Sequence, residues 1–214
     1  VSAHWEEPRV TLGATGPVPL IHDFYGFPAR YYETTYPAPG APTLAARVRS
    51  CLDAAAIPHG DAPGRGLDHG GYLPLVAMFP DASIPVLPLS MPPLEPRALV
   101  ALGRALAPLR REGVLLLTSG FLTHNMDYAF RRGTPPWARD FDAWAAAALV
   151  AKDIESLTRF YERGPSAATA LPTAEHFAPV LIAAGAADED DAVTFPITGW
   201  WMDGAFTKRS VQLG

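Results

Sequence analysis

The stretch Arg97–Gly120 reads RALVALGRALAPLRREGVLLLTSG, and its two halves follow different periodicities. In the first half, Leu99, Leu102, Leu106 and Leu109 recur three and four residues apart, which puts all four on one face of a helix. A helix is predicted over Arg97–Glu112, ended by Gly113, because glycine takes the left-handed backbone of a helix terminus without steric cost. In the second half, Val114–Thr118 is a short apolar run bounded by glycines, and it is predicted to be a buried strand. Ser119-Gly120 then opens a loop that carries Thr123-His124-Asn125. A helix feeding a buried strand, whose end opens onto polar side chains, is the building unit of an α/β domain.

The same alternation extends outward. Helices are predicted over Thr43–Ala56 (capped by Thr43, with Leu44, Val48, Cys51 and Leu52 on one face), Leu73–Phe79, Arg139–Leu157 (Phe141, Trp144, Ala148 and Leu149 inward) and Thr173–Ala184. The last would be capped by Thr173, with His176 in its first turn and Phe177, Val180, Leu181 and Ala184 facing the core. Strands are predicted at Val1–Trp5, Arg9–Ala14, Ile84–Ser90, Ala192–Ile197 and Phe206–Leu213. Between them, His22–Gly40 is a long aromatic loop and Gly60–Gly71 a glycine-rich one, and loops of this kind are usually functional. The expected fold is α/β: one catalytic domain over residues 1–214, a central mixed sheet flanked by helices, and an active site at one end of the sheet.

Composition narrows the function. The chain has 214 residues, half of them hydrophobic, which suits one domain with a sizeable core. No apolar run approaches the roughly 18 residues of a spanning helix, so no membrane partner is expected. The net charge is −5, with 17 basic and 22 acidic residues and no basic block, which argues against a nucleic-acid partner. Cys51 is the single cysteine, so no internal disulfide forms; it reads as a buried, inert thiol in a cytoplasmic protein.

The histidines carry the chemical signal: His4, His22, His59, His69, His124 and His176. His4 follows a predicted strand, His69 lies in a glycine-flanked loop, His124 follows the Val114–Thr118 strand, and His176 starts a predicted helix. Strand ends and helix starts are where α/β folds gather ligand sites. A metal takes imidazole in its neutral form, and the positive end of a helix disfavours imidazolium, which would suit His176 as a ligand or base. Each histidine alone reads first as a surface or hydrogen-bonded structural residue, and no pair has the short His-x-x-x-His spacing. The residues by themselves therefore support a histidine-rich site in an α/β domain and nothing finer.

The words around these histidines are more specific. Ser2-Ala3-His4-Trp5, Ile21-His22-Asp23-Phe24-Tyr25-Gly26-Phe27-Pro28, Tyr36-Pro37-Ala38-Pro39-Gly40, Gly66-Leu67-Asp68-His69-Gly70, Met78 through Val86, Ser119-Gly120 with Thr123-His124-Asn125, Pro172-Thr173-Ala174-Glu175-His176 and Ser210-Val211-Gln212-Leu213 follow in one order along the chain. Together they resemble the class III extradiol ring-cleavage dioxygenases, in the 4,5-DOPA dioxygenase branch. The resemblance implies a metal held by His4, His176 and a third histidine in a Gly-His-Gly motif. That motif is expected upstream of Val1, in a chain that reads as truncated at its N-terminus. It implies His124 as the acid/base residue, with a further metal ligand as the other reading.

The resemblance also implies ferrous iron as the working metal and zinc as an alternative occupant. The partners would be a small aromatic diol and dioxygen; oligomeric state stays open. His69 is expected to act in the site. His22 is expected in the substrate pocket or in a structural place within the aromatic loop, whose rings would wall a catechol. His59 reads as incidental. Asp23 and Asp68, each next to a histidine, read either as acceptors that orient it or as caps of their own loops. A zinc-dependent hydrolase and a non-catalytic scaffold on the same fold are the rival readings.

Overall fold

The structure, a computed structural model, describes residues 1–214. It divides into two compact units, Val1–Pro93 and Leu94–Gly214. Helices and small sheets make up both, and no helix is long and apolar enough to cross a membrane.

In the first unit, β1 (Val10–Leu12) is fully buried and pairs in parallel with β2 (His59–Asp61). On its other edge it meets Leu89 through an antiparallel bridge, with Ser90 N–H donating to Thr11 O and Gly13 N–H to Pro88 O. This small sheet is therefore mixed. His59 lies in β2, and the adjacent glycine and aspartate hid a strand of only three residues. The Ile84–Ser90 strand reduces to isolated bridges at Val86 and Leu89, because Pro85 and Pro88 have no N–H to give to a ladder. Val1–Trp5 likewise forms no regular strand.

Helix α1 (Pro42–Ala54) buries Ala45, Val48, Cys51 and Leu52. Its cap is Ala41 with no side-chain bond, so the expected Thr43 cap is replaced by Pro42 at the first helical position. Helix α2 (His69–Met78) starts four residues before the predicted helix. Asp68 caps it, accepting from Gly71 N–H, which puts His69 at the first helical position.

The second unit begins with α3 (Pro96–Leu106), which runs on as a 3-10 segment, Ala107–Glu112, once Pro108 breaks the α-helical bonding. Leu99, Leu102, Leu106 and Leu109 are all buried, and Gly113 ends the run at φ 79°, as their spacing predicts. Val114–Thr118 is not a strand: Leu115 is 59% exposed and no ladder forms along the segment.

Helix α4 (Pro136–Val150) stops at Lys152, which has positive φ, and Asp153 caps a new helix, α5 (Ile154–Thr158). Short helices α6 (Phe160–Arg163) and α7 (Ala167–Ala170) follow. Helix α8 (Ala178–Ala186) starts after His176, not before it. Pro179 confines the helix start, since proline fits only a first turn, and Thr173 bonds Glu175 instead of capping. Phe177 and Leu181 are buried as expected; Val180 and Ala184 are half-buried. The chain closes with β3 (Val193–Thr194) paired antiparallel with β6 (Gln212–Leu213), and β4 (Trp200–Trp201) with β5 (Phe206–Thr207).

Helices α3 and α8 cross closely because glycine lies on both sides. A Cβ on Gly103 would sit 2.1 Å from Ile182 O, and one on Gly185 would sit 2.2 Å from Val100 O. Alanine in a helix interior gains about 1 kcal/mol over glycine in propensity. The clash here is with backbone and cannot be relieved by a rotamer change, so overpacking of about 1–3 kcal/mol exceeds that gain. Gly103→Ala is expected to lower the urea midpoint with an unchanged slope; a raised midpoint would disprove the close crossing.

Candidate active site

In the first unit the structure brings His4, His69 and Asp23 together, with one ligand atom from each inside a 4.8 Å span. The imidazoles of His4 and His69 stack at 4.2 Å, 28° apart. One oxygen of Asp23, Oδ1, accepts from both the His69 backbone N–H (2.9 Å) and its ring Nδ1 (2.8 Å). Burial pushes the Asp23 carboxyl up, but the hydrogen bonds and charge of His69 outweigh it and hold the group below the usual carboxylate range.

His4 Nδ1 lies 3.9 Å from Asp23 Oδ2 and 3.9 Å from Asp68 Oδ1. Asp68 is already committed: Oδ1 accepts from Gly71 N–H and Oδ2 from Arg65 Nη2 at 2.8 Å, and Arg65 in turn covers the Trp5 ring. His22 stands next to this group. Its Nε2 meets Thr34 O at 3.3 Å, and its ring contacts Phe24, Tyr32 and Tyr72. Phe24 also meets His69 edge-on, so the aromatic loop does pack beside the group, with Phe24 touching both His22 and His69. The Tyr72 hydroxyl is buried there with no hydrogen-bond partner. His59 lies apart, its Nδ1 against Ile57 O.

In the second unit His124, Glu175 and His176 form the other group, again within 4.8 Å. The two imidazoles are stacked nearly parallel, 3.6 Å between centroids and 11° between planes. His176 is buried and His124 half-buried. Three backbone contacts fix the pair. Phe121 N–H donates to His176 O, His124 N–H donates to Ala170 O, and His124 bridges Phe206 of β5. Gly120 has to be glycine for this: a Cβ would come 2.3 Å from His176 O. Rings of Phe121, Trp201 and Phe206 wall the pair, with Phe206 4.6 Å from His124 and Trp201 stacked against Phe121. Trp201, 45% exposed, forms the outer side of this wall.

Behind His124 runs a buried polar chain. Thr207 N–H donates to Thr123 Oγ1 (2.9 Å), Thr207 Oγ1 donates to Asp142 Oδ1 (2.7 Å), and Arg209 grips Asp142 through Nε (2.9 Å) and Nη2 (2.5 Å).

Two imidazoles and a carboxylate make a mixed nitrogen–oxygen donor set in each unit. That suits a divalent transition ion such as iron or zinc better than magnesium or calcium, which prefer oxygen throughout. The sequence singled out His4, His69, His124 and His176, and the structure places His4 with His69 and His124 with His176. Glu175 was missed, though its place before His176 was the available signal. Asp142 and Thr207 were missed as well; nothing local marks them, since their role depends on contacts made 65 and 84 residues away in sequence.

The chain matches the family described as catalytic LigB subunit of aromatic ring-opening dioxygenase over residues 1–209. It is 39% identical over 204 residues to a protein of Beta vulgaris named 4,5-DOPA dioxygenase extradiol, covering 94% of this chain and 76% of that one. It is 38% identical over 222 residues to an Escherichia coli protein of the same name, covering 100% and 80%. Among solved structures, an uncharacterized protein of Escherichia coli K12 superposes with a TM-score of 0.80 at 34% identity, over 100% of this chain and 84% of that one.

Proposed function

We infer the function of this chain from its family: it belongs to the aromatic ring-opening dioxygenases of the catalytic LigB type. It is an extradiol ring-opening dioxygenase, and a metal cofactor goes with the family. We propose that it opens the ring of a catechol, DOPA-like or related, with dioxygen at a histidine-bound non-heme metal. Ferrous iron is the proposed working metal and zinc an alternative occupant. His4 and His176 are proposed as metal ligands, His124 and His69 as catalytic, and His22 as part of the substrate pocket. Residues 1–214 are proposed to work as one catalytic domain, in the cytoplasm.

The observation that carries this reading is the stacked His124–His176 pair inside its aromatic wall. A proton-transfer group has to reach the hydroxyl that a metal activates, so it belongs beside a ligand histidine. Flat rings around the pair suit a flat substrate. When bound, the metal supplies a Lewis acid that lowers the proton affinity of the diol and a route for electrons from ring to oxygen. His124 takes a hydroxyl proton and later returns one; Phe121, Trp201 and Phe206 exclude water and orient the ring. His176 is held at its backbone carbonyl by Phe121 N–H, and its ring lies stacked on that of His124.

The test is to load the full-length protein with ferrous iron without oxygen, add a panel of catechols, and admit oxygen. Oxygen uptake with the yellow absorbance of a ring-opened semialdehyde, abolished in His4→Ala and His176→Ala, is the expected result. No uptake from folded, iron-loaded protein across the panel would overturn the catechol reading. Zinc-dependent hydrolysis without oxygen uptake would point to the hydrolase, and neither activity to the scaffold.

A further inference from the structure

Asp23 holds both the backbone and the imidazole of His69. A helix N-terminus such as that of α2 already has a cap in Asp68. Asp23 reaches in from the loop 46 residues earlier and takes two donors of one residue, the amide and the ring of His69, on a single oxygen. An ionised carboxylate only accepts, so the ring nitrogen facing it, Nδ1, carries the proton. In the neutral ring this puts the lone pair on Nε2, the form in which an imidazole serves as base or ligand. The second oxygen is turned toward His4 Nδ1 at 3.9 Å, while the competing carboxylate, Asp68, is spent on Gly71 and Arg65.

We propose that Asp23 is a positioning residue for the His4–His69 pair, clamping His69 in its Nδ1–H tautomer so that Nε2 is the working atom. The proposal rests on the ring-cleavage reading only for what Nε2 then does; the clamp itself is independent of it. Asp23→Asn and Asp23→Ala separate the outcomes. The asparagine keeps an amide oxygen that can accept both His69 donors. The alanine keeps neither acceptor, so the ring is free to exchange tautomers and rotate.

Nitrogen-15 NMR of the imidazoles in zinc-loaded full-length protein reads the tautomer directly, with His69→Gln assigning the signal. Wild type and Asp23→Asn should show a protonated Nδ1 at His69, and Asp23→Ala a mixed or inverted pattern with unchanged circular dichroism. In the iron-loaded enzyme, turnover should fall by about 10–100-fold in Asp23→Ala, the usual cost of removing such a support, and stay within a few-fold in Asp23→Asn. A His69 that keeps its Nδ1 proton in folded Asp23→Ala, or lacks it in wild type, overturns the proposal. The expected NMR pattern in a protein without ring-cleavage activity would uphold the clamp and reject the ring-cleavage reading.

Discussion

His124→Ala is expected to slow ring cleavage by about 10²–10⁴-fold, the range that a well-placed acid/base group contributes. The ring to be removed is only half-buried, and it is anchored by its own backbone: its N–H donates to Ala170 O and the residue bridges Phe206. Truncating the side chain therefore leaves the loop in place. What it takes away is a proton acceptor stacked 3.6 Å from His176. His124→Phe provides the matching control, because it keeps a flat ring on His176 without any proton to move.

If His124 transfers protons, both variants lose turnover to a similar extent while KM for the catechol and the iron content hold. If it is a metal ligand, both lose iron as well, and turnover recovers in part at high iron concentration. If its contribution is only packing, phenylalanine restores turnover to within a few-fold of wild type, and the acid/base assignment fails. Single-turnover rates with saturating oxygen, read beside the bound iron per chain, distinguish the three.

The parts of this protein that were legible in its sequence are those where one residue type does one local job. Leucines at helical spacing gave α3, and Gly113 its end, because a helix face and a left-handed backbone are local demands. The histidines stood out because the words around them run in one order along the chain, not because of any one imidazole by itself. Strands were least legible. Val114–Thr118 has the composition of a buried strand but not its regular geometry, while β2 has a polar composition and becomes a strand because β1 lies beside it. Sheet formation is a tertiary event, and periodicity cannot supply the second strand. His176 shows the same limit at the site. Its place before α8, outside the helix, follows from Pro179 and from Glu175 taking the Thr173 hydroxyl.

Asp142 is where that limit matters most, and its loss is the largest stability effect expected here. The Asp142 carboxylate is 8% exposed and the Arg209 side chain 18%, and the two meet through two parallel hydrogen bonds. Asp142→Ala leaves the guanidinium with no counter-charge and the buried Thr207 hydroxyl with no acceptor. Removing one partner of a buried pair costs about 3–5 kcal/mol; the residual exposure of Arg209 argues for the lower end. The orphaned hydroxyl adds about 1 kcal/mol or more. A total near 4 kcal/mol corresponds to a fall in Tm of roughly 8–16 °C for a chain of this size.

The cause is testable because the charge and the shape can be removed separately. Replacing both partners, Asp142→Leu with Arg209→Met, removes the stranded charge and fills the space, so most of the lost stability should return. Turnover should not return with it. The Thr207 amide would still reach Thr123, but the strand carrying Phe206 and Thr207 would have lost the anchor that fixes it against His124. A double variant that regains Tm and stays slow, at a temperature where it is folded, assigns the pair to holding the histidine loop. One that regains both makes Asp142 a matter of stability alone, and Asp142→Ala with an unchanged Tm would mean that the pair is solvated and contributes neither.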